Sequence, residues 1–326
     1  MQSTGTRQYW LGFDLGATKM LAMVFDERLR PAGMRRRRTQ TLGPTRGFAR
    51  LVETIDQALA DAGVERSSLA GIGMAAPGML DLDRGILLQA PNLGWRQVPL
   101  KRKLEREFGV PAVLANDVDA GTYAEYRYGA ARGARCVVGV FPGTGIGGAC
   151  VYEGRLLRGK IGSCMEIGHV PVMADGPLCG CGRRGCLEAL ASRLAISAEL
   201  AQAAYRGMAP HLLEIAGTDL TAIRSAAIRK AIARGDRVVE DIVRHAARQI
   251  GQVLVGVIHL LAPDVIVLGG GLVGELGSLF LEEIRATTRV GVTDAFRGTF
   301  RVVAAKFGDR ATTLGAAALA ADAARG

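Results

Sequence analysis

WLGFDLGATKMLAMVF, residues 10–25, and CVVGVFPGTGIGGACVY, residues 136–152, share one design: an apolar strand, a glycine-bearing turn, and a second apolar strand. A segment with helical spacing of apolar residues follows each, at 48–62 (FARLVETIDQALADA) and 241–261 (DIVRHAARQIGQVLVGVIHLL). Each leads to a short apolar strand ending in glycine: 69–73 with AAPG behind it, and 264–268 with Gly269, Gly270 and Gly271 behind it. A hairpin-led α/β unit used twice predicts an α/β fold of two similar lobes with a cleft between them, one glycine turn per lobe facing it. No Pro/Ser-rich linker divides the halves, so the crossing is placed in the helical stretch 118–128. The expected lobes are a smaller one over 1–117, rejoined by a C-terminal helix over 311–326, and a larger one over 118–310.

Composition agrees with two cores, at 326 residues with 49% hydrophobic and 5% aromatic. No run of about 18 apolar residues occurs and the N-terminus lacks the order of a signal peptide, so a cytoplasmic protein away from membranes is expected. The first strand begins by about residue 9, which leaves no room for an N-terminal helix-turn-helix. DNA is therefore not an expected partner. The net charge of +10 is mostly dispersed. Its one dense block, Arg35 to Arg38, reads as a charge-protected edge strand, with a polyanion site as the alternative.

Three constellations could carry chemistry. The first is the pair of turns. GTGIGG at 143–148, holding Gly143, Thr144 and Gly145, precedes a strand and lacks a GK[ST] ending, so it is neither a dinucleotide fingerprint nor a P-loop. Its twin at 14–19 adds Asp14, Thr18 and Lys19 to Gly16, the equipment for Mg²⁺ and phosphate. Two such turns together favour phosphate over plain hairpins. The second is Asn116-Asp117, at the end of a strand (111–115) and the start of a helix. Asp117 could cap that helix, or accept the proton of an attacking hydroxyl. The third is Glu166, His169, Cys179, Cys181, Cys186 and Glu188. One imidazole and three thiolates make the Cys₃His shell of a structural Zn²⁺ site, and the flanking carboxylates suit sugar hydroxyls. Glu188 could instead complement the dipole of a helix starting at Leu187.

The whole chain resembles the ROK family of bacterial sugar kinases and repressors, within the actin-like ATPase fold. The resemblance lies in DLGATK (14–19), GIGMAAPGMLD (71–81), PNLGW (91–95), NDVDAGTYAEY (116–126), GTGIGG (143–148), EIGH (166–169), CGCGRRGCLE (179–188) and PDVIVLGGG (263–271). It implies an ATP-dependent hexose kinase, with glucose the foremost substrate and its 6-hydroxyl the acceptor. N-acetylglucosamine, N-acetylmannosamine, mannose, fructose and allose stay open, as does a non-catalytic sugar-responsive regulator. It further implies Asp117 as catalytic base, sugar contacts from Asn92, Asn116, Glu166, His169 and Glu188, and zinc on His169, Cys179, Cys181 and Cys186. Phosphate contacts would come from the turns of Thr18 and Thr144, and nucleoside contacts from near Gly270. ATP with Mg²⁺ is the expected donor, with polyphosphate a possible second, and a homodimer or homotetramer the expected assembly. Three departures stand out: Ala17 adds a methyl to the first turn, Ala149 replaces a glycine after the second, and Cys164-Met165 stand where small residues usually precede Glu166.

Overall fold

Seven residues from Tyr9 to Leu15 form β1, and the run Trp10–Phe13 is fully buried, so both faces of the strand are covered. The computed structural model describes residues 8–16, 18–40, 42–160 and 164–325. β1 pairs antiparallel with β2 (Lys19–Phe25), which pairs with β3 (Pro31–Arg38). After α1 (Pro44–Ala62), β4 (Leu69–Ala76) lies parallel to β1. A small antiparallel meander follows, β5 (Met79–Asp81), β6 (Ile86–Ala90) and β7 (Trp95–Val98). Then come α2 (Leu100–Phe108), β8 (Ala112–Asn116), parallel to β4, and α3 (Asp117–Tyr128). The sheet order is β3-β2-β1-β4-β8.

The second half repeats that path. β9 (Cys136–Pro142) and β10 (Ile146–Tyr152) form the hairpin, with β11 (Arg155–Leu156) at the edge. Helices α4 (Leu187–Ala191), α5 (Arg193–Tyr205), α6 (Pro210–Ala216), α7 (Ser225–Ala233) and α8 (Arg237–Leu261) precede β12 (Val265–Leu268). α9 (Gly270–Gly291), β13 (Arg301–Ala304) and α10 (Ala311–Ala323) complete the chain. The second order, β11-β10-β9-β12-β13, matches the first strand for strand, with the same antiparallel and parallel pairings around β9. α8 buries Val239, Val243, Ala246, Ile250, Leu254 and Ile258, the one-faced spacing that its sequence shows.

Contacts divide the chain into one unit of residues 1–129, 156–164 and 309–326, and another of 130–155 and 165–308. The division falls at Gly129 and not after residue 117, because α3 packs along α10 and stays with the first unit. Tyr123 donates to Asp322 at 2.5 Å and Arg127 reaches the same carboxylate at 2.6 Å, which fixes α3 to α10 by side chains from both. α10 also packs on β1 and β4. A methyl at Gly12 would overlap the carbonyl of Thr313, and one at Gly73 that of Ala316, so only glycine lets the helix lie this close. The alanines of α10, buried on most sides, serve the same close approach.

Arg35 to Arg38 lie on β3, the edge strand. Arg35 and Arg37 reach Asp61 and Glu53 of α1 at 2.6 Å, while Arg36 pairs with Asp309 at 3.2 Å, so consecutive arginines serve opposite faces. Among the described residues no helix is long and apolar enough to cross a membrane.

Candidate active site

Parallel pairing brings the carboxyl ends of β1, β4 and β8 to one edge of the first sheet: Asp14 is level with Ala75, and Ala76 with Asn116. The first glycine turn leaves β1 at that edge. Its backbone is clamped by Thr39, whose hydroxyl donates to the Gly16 carbonyl at 2.7 Å and whose N–H donates to that of Thr18 at 2.9 Å. Thr18 is exposed, and Ala17 with its extra methyl lies outside the described residues. Lys19 meets Asp309 at 2.6 Å, a hydrogen bond that, with Arg36 adding, holds the Asp309 carboxyl below the usual range. Asp14 behaves oppositely. Enclosure by protein and then the negative charge of Asp117 push its carboxyl up to about 7, against the pull of Lys19 and Arg36.

Asn116 is the N-cap of α3, its side-chain oxygen accepting from Val118 N–H at 2.8 Å and from Asp119 N–H at 3.4 Å. The cap that the sequence offered to Asp117 thus belongs to its neighbour. Asp117 is the first helical residue, and one of its oxygens accepts from Val118 N–H at 3.0 Å. Asn116 has spent its carbonyl and keeps its NH₂ group to donate. Asn92 is exposed in a single 3₁₀ turn, Pro91–Leu93, anchored by buried Leu93 and Trp95, the latter donating to the Leu42 carbonyl at 2.9 Å.

In the second unit the GTGIGG turn is tied at both ends. Arg193 N–H donates to the Gly143 carbonyl at 2.8 Å and the guanidinium to the Thr144 hydroxyl at 3.2 Å. Glu188 accepts from Ile146 N–H at 2.9 Å, and a methyl on Gly145 would collide with the same carboxylate. Glu188 also lies in the first turn of α4, where a negative charge opposes the helix dipole. Ala149 sits inside β10 opposite Gly139, buried. Gly270 opens α9 at φ 80°, past the carboxyl end of β12.

His169, Cys179, Cys181 and Cys186 bring their ligand atoms within 4.8 Å of one another. Cys179 Sγ is 3.7 Å from His169 Nδ1, and Cys181 Sγ is 3.7 Å from Cys186 Sγ. Zinc–sulfur bonds of about 2.3 Å in a tetrahedron require edges of about 3.8 Å, so the four groups fit a zinc ion. The loop achieves this by folding on itself: Cys179 N–H donates to the Arg183 carbonyl, Gly182 N–H to that of Cys179, and Leu187 N–H to that of Val170. Cys179 Sγ is also 3.8 Å from Glu188 Oε1, which links the ligand cluster to the second glycine turn through one carboxylate. Glu166 precedes a short 3₁₀ turn, Ile167–His169, that directs the imidazole into the cluster. Met165 adopts φ 59°, a left-handed conformation costly for a side chain with Cβ.

The ROK family profile matches residues 10–323. The chain belongs to the ROK family. It is similar to the glucokinase of Streptomyces coelicolor, 35% identical over 313 residues that cover 95% of this chain and 96% of that protein. The crystal structure of a ROK family glucokinase from Streptomyces griseus in complex with glucose and AMPPNP aligns with a TM-score of 0.82 at 35% identity, covering 96% of this chain and 99% of that one. The DNA-binding transcriptional repressor Mlc of Escherichia coli is 31% identical over 269 residues, 82% of this chain and 64% of the repressor.

Within this ROK protein, the sequence placed Asp14 and Lys19 in one constellation and Asn116 and Asp117 in another, and the first unit holds all four at one sheet edge. It grouped the second turn separately from Glu188, which the second unit joins by a hydrogen bond. Asp309 and Arg193 escaped sequence reasoning. Asp309 lies far along the chain from its partner Lys19, and Arg193 looked like an ordinary helix residue.

Proposed function

We propose that this ROK protein is an ATP-dependent hexose kinase acting on glucose, with the 6-hydroxyl as acceptor and Asp117 as base. The observation that carries the reading is the placement of Asp14 and Asp117, the phosphate-turn acid and the acid expected to be the base, at the carboxyl ends of β1 and β8 on one sheet edge, near enough for the Asp117 charge to add to burial in raising the Asp14 carboxyl. The glucokinase relatives support the substrate class.

In this mechanism the hydroxyl oxygen attacks the γ-phosphorus, the bond to the β–γ bridging oxygen breaks, and ADP leaves with that electron pair. The hydroxyl proton passes to Asp117. Asp117 acts late and chiefly orients the nucleophile, so an ordinary carboxylate suffices. Hexose hydroxyls are assigned to Asn92, Asn116, Asp117, Glu166, His169 and Glu188. Backbone N–H groups around Gly16, Thr18, Gly143, Thr144 and Gly145 are assigned to phosphates, and Gly270 to the nucleoside. Asp14 would hold the Mg²⁺ that accompanies ATP, and the ion would supply neutralisation of phosphate charge. His169, Cys179, Cys181 and Cys186 would hold a zinc ion, which would stiffen the loop between Glu166 and Glu188 without entering phosphoryl transfer. The protein is taken to work in the cytoplasm as a homodimer or homotetramer.

A coupled assay with ATP, Mg²⁺ and a panel of glucose, mannose, fructose, allose, N-acetylglucosamine and N-acetylmannosamine tests this. Glucose should give the highest kcat/KM; turnover of none of the six would overturn the reading. The repressor relative favours a second reading, a sugar-responsive regulator. Sugar binding without turnover, together with a salt-dependent DNA mobility shift, would establish that reading instead.

A further inference from the structure

Arg96, Gln97, Arg102, Lys103 and Arg106, with Pro44 and Thr45 at the start of α1, line a solvent-open cavity of about 360 Å³ in the first unit. The four cations come from β7 and from two successive turns of α2. Among the described residues none has a carboxylate partner. The nearby acids are engaged elsewhere: Glu107 pairs with Arg66 at 3.2 Å, and Glu105 accepts from Ala112 N–H at 3.3 Å. Only Lys103 has any compensation, resting 4.5 Å over the Phe48 ring.

Other arginines of the molecule are neutralised within the protein. Arg66, Arg127 and Arg244 each meet at least one carboxylate within 2.7 Å. Around the cavity like charges are instead stacked on like: Arg102 and Arg106 are one helical turn apart, and Lys101, Arg102 and Lys103 crowd the end of α2 where the helix dipole is already positive. α1 offers no relief, with no acid in its first turn. Arg96, Arg102 and Arg106 are exposed and Lys103 half-buried, so the four cations around one concave surface raise the local positive potential and favour an anion of comparable charge there. A phosphate monoester would leave about half of that charge unmatched, since it carries close to two negative charges at neutral pH.

We propose that this cavity binds a compact ligand carrying two or more phosphoryl groups, either an oligophosphate chain or a bisphosphorylated sugar, at a site separate from the glycine turns. Arg102 and Arg106 grip one phosphoryl group in charge-assisted hydrogen bonds, and Arg96 and Lys103 the other. The binding needs no phosphoryl transfer and does not rest on the kinase reading.

Isothermal titration tests it on protein first saturated with glucose and Mg–AMPPNP, so that any nucleotide site is already filled. Tripolyphosphate forms one arm, fructose 1,6-bisphosphate the second, and glucose 6-phosphate the single-phosphate comparator. One of the first two should bind at least about tenfold more tightly to the wild type than to Arg102→Glu/Arg106→Glu, and more weakly as salt rises. Which arm binds identifies the source of the phosphoryl groups. The double variant should keep ATP-dependent glucose turnover within about twofold of wild type; Arg96→Glu, on the neighbouring strand, repeats the test should the double variant misfold. Equal affinity in wild type and variants, or no binding of either ligand, overturns the proposal. Failure of AMPPNP to bind would count against the kinase reading alone, and the same titrations on the unliganded protein would still decide this one.

Discussion

Each of the two glycine turns joins the antiparallel hairpin of its sheet, yet their surroundings divide the work between them. The first is ringed by charged groups, with Lys19, Arg36, Asp117 and Asp309 all felt at the Asp14 carboxyl. The second is held by Arg193 and Glu188 and leads through Glu188 to the Cys₃His cluster. A duplicated hairpin therefore fixes only where a turn lies. What the turn can do depends on which later segment comes to rest against it: residues near 309 in one case, residues 188–193 in the other.

The largest test of that division removes the base. Asp117→Asn should lower kcat at least about a hundredfold while sugar and nucleotide affinity stay nearly unchanged, read by steady-state kinetics and titration. Near-normal turnover would take Asp117 out of the mechanism. The second test breaks the other turn's support. Cys181→Ser, or prolonged chelation, should raise the sugar KM about a hundredfold or abolish activity, since two or three charge-assisted contacts of about 1.5–3 kcal/mol each are misplaced together. Affinity for AMPPNP should change by less than about threefold. Because Glu188 touches both the cluster and the Ile146 N–H, a loss of nucleotide affinity as large as the loss of sugar affinity would show that the two roles are not separable.

The third test concerns charge around the first turn. Folding pushes the Asp14 carboxyl up to about 7, above its ordinary 3.8. The folded state therefore holds a proton that the unfolded chain has already released, and stability falls as pH rises from about 4 to about 7. Asp14→Asn should remove that slope, gaining on the order of 2 kcal/mol on wild type between pH 5 and pH 8 in denaturant melts. Parallel slopes in the two proteins would mean that Asp14 ionises freely and is not coupled to Asp117. The smallest effect is at Met165, whose φ of 59° suits glycine. Met165→Gly should stay within about 1 kcal/mol of wild type although it strips a packed side chain, whereas β-branched Met165→Val should lose about 1–2 kcal/mol. Equal losses would show that packing and not backbone conformation decides that position.

Much of this was legible in the chain. Continuous apolar runs either side of a glycine turn marked the hairpins, a period of 3.6 marked α8, and three cysteines within residues 179–186 marked the cluster. The small residues that usually precede Glu166 now have a physical reason in the left-handed turn at Met165. The meander β5–β7 was not legible, because strands of three to five residues carry too short a pattern to separate from loop. Helices α5 to α7 were passed over: α5 is rich in alanine and α6 and α7 are short, so none shows the long one-faced stripe of α8. Asp309 was invisible because its value lies in an ion pair with Lys19 that spans nearly the whole chain, and no local pattern encodes such a partner. Asn116 and Asp117 were read as a pair, but neighbouring residues that can both cap a helix are told apart only by the backbone that chooses one of them.

The seat of α10 against Gly12 and Gly73 sets an order on the making of the protein. Those glycines leave the ribosome early, and the helix that covers them begins at Ala311, after residues 130–308 have been synthesised. The nascent chain must therefore carry β1 and β4 with one apolar surface uncovered while the second unit is still being translated. The part of the molecule started first is finished last, and a ribosome stalled before residue 311 leaves a chain whose second unit can be whole while its first is an open sheet awaiting a chaperone or a protease.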